Sequence, residues 1–181
     1  MRLTLLLAVA TFLGSKASFG QNDETIQANV QKALSAYSIK SIHSSVQGGV
    51  VTLTGSVDLC RTKILADELT SGIRGVKSIW DRVEVSGPTV PDKELNKEIK
   101  YLITDRIHRL GGFGFGSISA QVHDGVVTLR GYAAPQLALP TTAAVADIPG
   151  VKNLIDRIKP VPPVEPHWQS SFEIGAGESS H

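Results

Sequence analysis

Cysteine is nearly absent from this 181-residue sequence: Cys60 is the only one, so no disulfide can form within a chain. Aromatic residues are sparse at 6%. Charge of neither sign dominates, with 18 basic and 17 acidic residues and a formal net charge of +1, which speaks against a strongly basic nucleic-acid binder. No Gly-x-Ser-x-Gly elbow and no Gly-Lys-Ser/Thr phosphate loop occurs. The five histidines, His43, His108, His123, His167 and His181, show no metal-ligand spacing. These gaps remove the usual routes to catalysis, so no catalytic residue, cofactor or metal is expected.

The one long uncharged apolar run, Leu3–Gly14, follows Arg2 and precedes the small residues Ser15, Ala17, Ser18 and Gly20. That order reads as a secretory signal over residues 1–20, and twelve residues of helix span only about 18 Å, too short for a permanent anchor. Without residues 1–20 the balance is 16 basic against 17 acidic residues, a net charge of −1. The charge is uneven: residues 23–86 hold seven acids and seven bases, whereas residues 92–160 hold seven acids and nine bases.

An internal repeat organises the rest. Gly49-Val-Val-Thr-Leu-Thr-Gly55 recurs as Gly125-Val-Val-Thr-Leu-Arg-Gly131, and Gly75-Val-Lys-Ser-Ile-Trp-Asp-Arg-Val83 recurs as Gly150-Val-Lys-Asn-Leu-Ile-Asp-Arg-Ile158. The offsets are 76 and 75 residues. Two matches in the same order mark a duplicated module. Each copy opens with an amphipathic helix, carried by Ile26, Val30, Ala33 and Leu34 in the first and by Leu95, Ile99, Leu102 and Ile103 in the second. Asp23 and Asp92 stand three residues ahead of these faces, where a carboxylate can cap the helix. Gly48-Gly49 and Asp124-Gly125 then mark hairpin turns, and period-two alternation in Val51, Leu53, Gly55 and Val57 describes a sheet covered on one side.

A second helix follows, with Ile64, Leu65, Leu69 and Ile73 as its apolar face, and then a third strand. The fold class is α+β, two copies of an α-β-β-α-β module, each a mixed three-stranded sheet with two helices on one face. The expected boundaries are a first module at 23–86, a linker at 87–91, a second module at 92–160 and a Pro/Gly/Ser-rich tail over 161–181 without regular structure. Cys60 reads as a buried or half-buried small residue. Asp81 and Asp156 recur beside Arg82 and Arg157, and strand neighbours point to opposite faces, so each Asp is expected to bond backbone N–H groups rather than share a site with its Arg. Trp80 falls on the open face, available to the other module or to a ligand.

The repeated signature resembles the BON domain, a module of bacterial envelope and osmotic-stress proteins. Gly-Val-Val-Thr-Leu-x-Gly looks like its central strand, and Gly75-Val-x-x-Ile and Gly150-Val-x-x-Leu look like its last. The resemblance implies a periplasmic protein without enzymatic activity that binds a phospholipid membrane surface or envelope proteins and supports envelope integrity. The alternative is a structural or adaptor role within an envelope assembly. Nucleic acid is not an expected partner, and no oligomeric state follows.

Three features depart from the family. Asp81 and Asp156 stand where Asn is usual. Pro135 and Pro140 fall in the second copy's second helix, which is therefore expected to be irregular or shortened to begin near Pro140. The second copy also has seven extra residues before its hairpin turn, including Gly111-Gly-Phe-Gly-Phe-Gly116. That loop and the preceding helix supply the candidate membrane or partner contacts: Lys97, Lys100, Arg106, Arg109, Phe113 and Phe115. The same residues also read as a solvated helix face, offset by Glu94, Glu98 and Asp105, with both phenylalanines folded back over the core.

Overall fold

A computed structural model describes residues 19–110 and 115–161. The signal-like segment up to residue 18, Phe113 with its glycine neighbours 111, 112 and 114, and the tail from 162 lie outside the described residues. The chain divides into two compact units, residues 1–90 with 146–153 and residues 91–145 with 154–181.

The first repeat runs α1 (Phe19–Ala36), β1 (Ile42–Gln47), β2 (Val50–Val57), α2 (Cys60–Ser71) and β3 (Ser78–Val85). Strand β1 pairs antiparallel with β2, from Gln47 opposite Val50 to Ile42 opposite Gly55. Strand β3 pairs parallel with β2, so the chain must cross over between them, and α2 makes that crossing. Ile26, Val30 and Leu34 of α1 pack with Ile42, Val51, Leu53, Val57 and Val83 in the buried core. The inward phase of β2 is the one the alternation predicts.

The second repeat has the same order: α3 (Asp92–Arg109), β4 (Gly116–His123), β5 (Val126–Ala133), α4 (Pro135–Ala146) and β6 (Asn153–Pro160), in a sheet of order β4-β5-β6. Its buried apolar residues are Leu95, Ile99, Ile103 and Ile107 from α3, Ile118 and Ala120 from β4, Val127, Leu129 and Ala133 from β5, and Leu137 and Val145 from α4. Helix α3 carries Asp92 and Glu94 in its first turn and Arg106, His108 and Arg109 in its last, each sign at the end where the helix dipole favours it.

Two expectations are corrected. Asp23 and Asp92 do not cap their own helices. Each reaches across to the hairpin turn: Gly48 and Gly49 donate their amides to Asp23 at 2.7 and 2.9 Å, and Asp124 and Gly125 donate theirs to Asp92 at 2.8 and 3.0 Å. The turns explain the choice. Gly48 (φ 59°), Gly49 (φ 83°), Asp124 (φ 50°) and Gly125 (φ 77°) lie in the left-handed region, the signature of a type I′ turn, and each pair offers consecutive N–H groups to one anion.

Helix α4 is neither shortened nor broken: it begins at Pro135 and runs through Pro140 to Ala146. Pro135 occupies the first helical position, where an amide would have no partner anyway. Pro140 removes only the bond to the Gln136 carbonyl, and Gln136 lies at the exposed surface, where solvent is available to that group.

In and just after α2, Leu65, Leu69 and Ile73 pack half-buried against the core as their spacing predicts, and the fully buried residues beside them are Cys60, Ala66 and Thr70. Small residues let the helix lie close to the sheet, and the Thr70 hydroxyl donates to the Ala66 carbonyl at 2.7 Å.

Candidate functional site

Helix α3 divides the four cationic candidates. At about 100° per residue, Lys93, Lys97 and Lys100 fall within about 60° of one another on the outer surface, while Arg109 lies about 180° from Lys100. Lys97 and Lys100 are exposed. Arg106 turns toward the Ile99 side, half-buried, and its Nε is buried without a hydrogen-bond partner. Arg109 Nε pairs with Asp105 Oδ2 at 2.7 Å, an exposed bridge of little net energy. Phe115 is half-buried, its carbonyl accepting the Ala134 amide at 2.7 Å, so it starts the β4–β5 ladder. The structure brings together Lys97, Lys100 and the neighbouring Lys93, and sets Arg106, Arg109 and Phe115 apart from them.

A second cationic surface was not among the expected sites. The Thr142 hydroxyl of α4 donates to Asp156 Oδ2 at 2.9 Å, which fixes Asp156 on the helix side of β6. By alternation Ile155, Arg157 and Lys159 then face the open side. Arg130 and Tyr132 of β5 face the same way, out of phase with buried Val127, Leu129 and Ala133. Arg130, Gly131, Tyr132, Arg157 and Lys159 line one shallow depression of about 300 Å³, and Tyr132 is 53% exposed. No Asp or Glu sits at an outward position of β4, β5 or β6.

The first repeat holds Thr54, Ser56, Arg82 and Glu84 at the equivalent positions, one charge of each sign. Trp80 is 58% exposed there, with the Arg82 guanidinium 5.8 Å from its ring centroid. Ser45, Gln47, Val50, Thr52 and Trp80 outline a depression of about 270 Å³. The two open faces thus share a backbone and differ in charge.

Under α2 of the first repeat lies a cluster of ionisable groups. Lys63 Nζ contacts Asp81 Oδ2 at 3.1 Å and donates to the Val83 carbonyl at 2.7 Å, while Asp81 Oδ1 accepts the Val83 amide at 2.9 Å. Asp156 repeats that last bond, accepting the Ile158 amide at 2.8 Å. Both acids therefore bond backbone, as their recurrence suggested.

Burial pushes the Cys60 thiol up to about 11, so it stays protonated and unreactive at neutral pH. Burial, followed by the charge on Asp81, pushes the Asp67 carboxyl up to about 6, with Lys63 opposing. In the second repeat Thr142 takes the place of Asp67 and hydrogen-bonds Asp156 without needing to be titrated. Asp67 can donate to Asp81 only when protonated.

A pH dependence of stability follows. The Asp67 carboxyl has a higher pKa folded than unfolded, so its favourable contribution is complete below about 4 and is lost as pH rises through about 6. Asp67→Asn, which donates at every pH, should raise stability at pH 7.5 by about 1 kcal/mol, after discounting for the group's partial exposure, and by nearly nothing at pH 4. Urea denaturation at the two pH values checks this. A difference between variant and wild type that does not change with pH would exclude it.

Among the described residues, Asp92, His123 and Asp124 hold ligand atoms within 4.8 Å of one another. Asp92 engages both carboxylate oxygens with the turn amides, and His123 and Asp124 pair at the surface at 3.4 Å, so closure of the turn accounts for the group. A larger hollow of about 410 Å³ lies at the start of α1, lined by Asn22, Asp23, Thr25, Ile26, Gly48, Gly49, Arg74, Gly75 and Lys77. Asp23 is bound to the turn there, and Lys77 Nζ donates to the Gly48 carbonyl at 2.9 Å. Among the described residues no helix is long and apolar enough to cross a membrane.

Comparison with known proteins adds the following. No curated protein matches the sequence. Two solved structures of CdsD, a structural protein of the Type III secretion system of Chlamydia trachomatis, are similar. One, of its C-terminal domain, has 17% identity and a TM-score of 0.33, covering 77% of this chain and 67% of that one. The other has 14% identity and a TM-score of 0.34, covering 87% and 70%. The family model of the BON domain matches twice, over residues 22–87 and 96–162. With both repeats matched over most of its length, this chain belongs to the BON domain family, in tandem.

Proposed function

We propose that the chain is an exported, non-catalytic protein of the bacterial envelope that binds anionic phospholipid surfaces through its second BON module and thereby supports envelope integrity under stress. The single observation that carries this reading is the charge asymmetry of the two copies: on one backbone plan, the second presents two cationic surfaces and the first a neutral one. Each Lys or Arg held near an anionic leaflet contributes about 1 kcal/mol, so three together contribute about 3 kcal/mol. Membership of the BON family supports the envelope assignment, and the signal-like residues 1–20 support export to the periplasm.

Co-sedimentation of the full chain with vesicles tests the proposal. It should pellet with vesicles of phosphatidylglycerol and phosphatidylethanolamine and stay in solution with phosphatidylcholine. Equal recovery with both would contradict it.

Exposed Trp80 on the neutral face of the first module favours a second reading, an adaptor that holds an envelope protein there. Crosslinking in cells that yields only the monomer would count against that reading.

The expected contacts Lys97 and Lys100, with neighbouring Lys93, belong to the helix side of the second module. The depression lined by Arg130, Arg157 and Lys159 belongs to its opposite side. A flat membrane can meet only one of them.

A further inference from the structure

We propose that the open sheet face of the second module, with Arg130, Tyr132, Arg157 and Lys159 at its centre, seats anionic phospholipid headgroups, and that helix α3 faces away from the membrane. This inference rests on the membrane-binding reading above and deepens it. Three features of the sheet face are missing from the helix. Its charge is unmixed: no carboxylate occupies an outward position on the three strands, whereas Glu94 lies one turn from Lys97 beside the lysine stripe of α3, with Glu98 next to it.

Its cations suit phosphate. Two are arginines, whose planar forks meet two phosphate oxygens at once, while the helix stripe offers lysines alone. They line a concavity of about 300 Å³ rather than a convex surface. Tyr132 stands beside them, 53% exposed, with Ile155 at 37%, an amphipathic ring and an apolar side chain of the kind that settle at the headgroup level; α3 has a comparable ring in Tyr101, 75% exposed beside Lys97, so the contrast rests on the charge, the arginines and the depression.

The first repeat acts as an internal control. At the same strand positions it holds Thr54, Ser56, Arg82 and Glu84. The fold alone therefore does not require the cationic face, and the residues of one copy are already known to suit the other's backbone.

The test uses the full chain and vesicles of phosphatidylglycerol and phosphatidylethanolamine. The variant R130T/Y132S/K159E gives the second module the first module's residues and should weaken vesicle binding about tenfold or more. The variant K93Q/K97Q/K100Q should stay within about threefold of wild type. If the first variant loses its cooperative melt, R157Q/K159Q replaces it, with the same direction expected.

Loss of binding in the helix variant with retention in the sheet variant would overturn the inference while leaving membrane binding intact. Failure of the wild type to bind anionic vesicles would overturn both. A wild-type dimer that the sheet variant dissolves, with no vesicle binding, would assign the face to a second copy of the chain and also overturn it.

Discussion

Gly131→Ala is expected to unfold the second module, and Gly55→Ala the first. Both glycines close the repeated Gly-Val-Val-Thr-Leu-x-Gly segment, and both have a positive φ, 134° and 131°. A side chain at Gly131 would place its Cβ inside the van der Waals radius of the Ser117 carbonyl oxygen, and one at Gly55 would do the same to Ser41. Neither oxygen belongs to a side chain that can swing away. Both are backbone at the start of the partner strand, next to Ile118 opposite Gly131 and Ile42 opposite Gly55.

Relief of the clash therefore means parting the hairpin. Backbone strain alone costs about 1–3 kcal/mol, and the forced separation adds to it. A domain of this size holds about 5 kcal/mol in total, so most of its stability should disappear. Urea denaturation followed by circular dichroism should show about half of the signal lost at low denaturant in either variant. A shift of less than about 1 kcal/mol in both would show that the glycine is replaceable.

Asp92→Ala should destabilise the second module by about 2 kcal/mol, and Asp23→Ala the first by a similar amount. Each carboxylate accepts two turn amides from residues 25 to 33 positions away, so it ties the opening helix to the hairpin before any apolar contact between them is counted. Hydrogen bonds to a charged group contribute about 1.5–3 kcal/mol each, and partial exposure of this pair lowers their sum. Asp92→Asn, with one acceptor oxygen in place of two, should fall about midway. Denaturation midpoints read these differences directly. An alanine variant within about 0.5 kcal/mol of wild type would mean that water serves the turn amides as well as Asp92 does.

The positions of strands and turns were legible because they depend on near neighbours. Alternation set the inward phase of β2, and paired positive-φ residues set the turns. The partners of Asp23 and Asp92 were not legible, since a carboxylate before an amphipathic run also fits a helix cap and only the tertiary approach of the hairpin decides between them.

Pro140 misled in the same way: its local penalty is real, but a helix held by Leu137 and Val145, with Gln136 at the exposed surface, absorbs it. Arg106 looked like one of a row of charges until helical phase turned it inward.

The sheet-face cations had a signal in plain view. Arg130 replaces Thr54, Tyr132 replaces Ser56 and Lys159 replaces Glu84 between the copies, and the second half carries the basic surplus. Aligning the copies exposes those differences, yet gathering them on one face required the strand order β4-β5-β6 and the side on which Asp156 lies.

Lysine-reactivity footprinting of the full chain, with and without anionic vesicles, reports most directly which side of the second module meets the membrane. Lys159 should become protected by phosphatidylglycerol-containing vesicles, while Lys93, Lys97 and Lys100 keep the reactivity they have in solution. Protection of the three helix lysines with Lys159 unchanged, or no protection anywhere, would contradict the account.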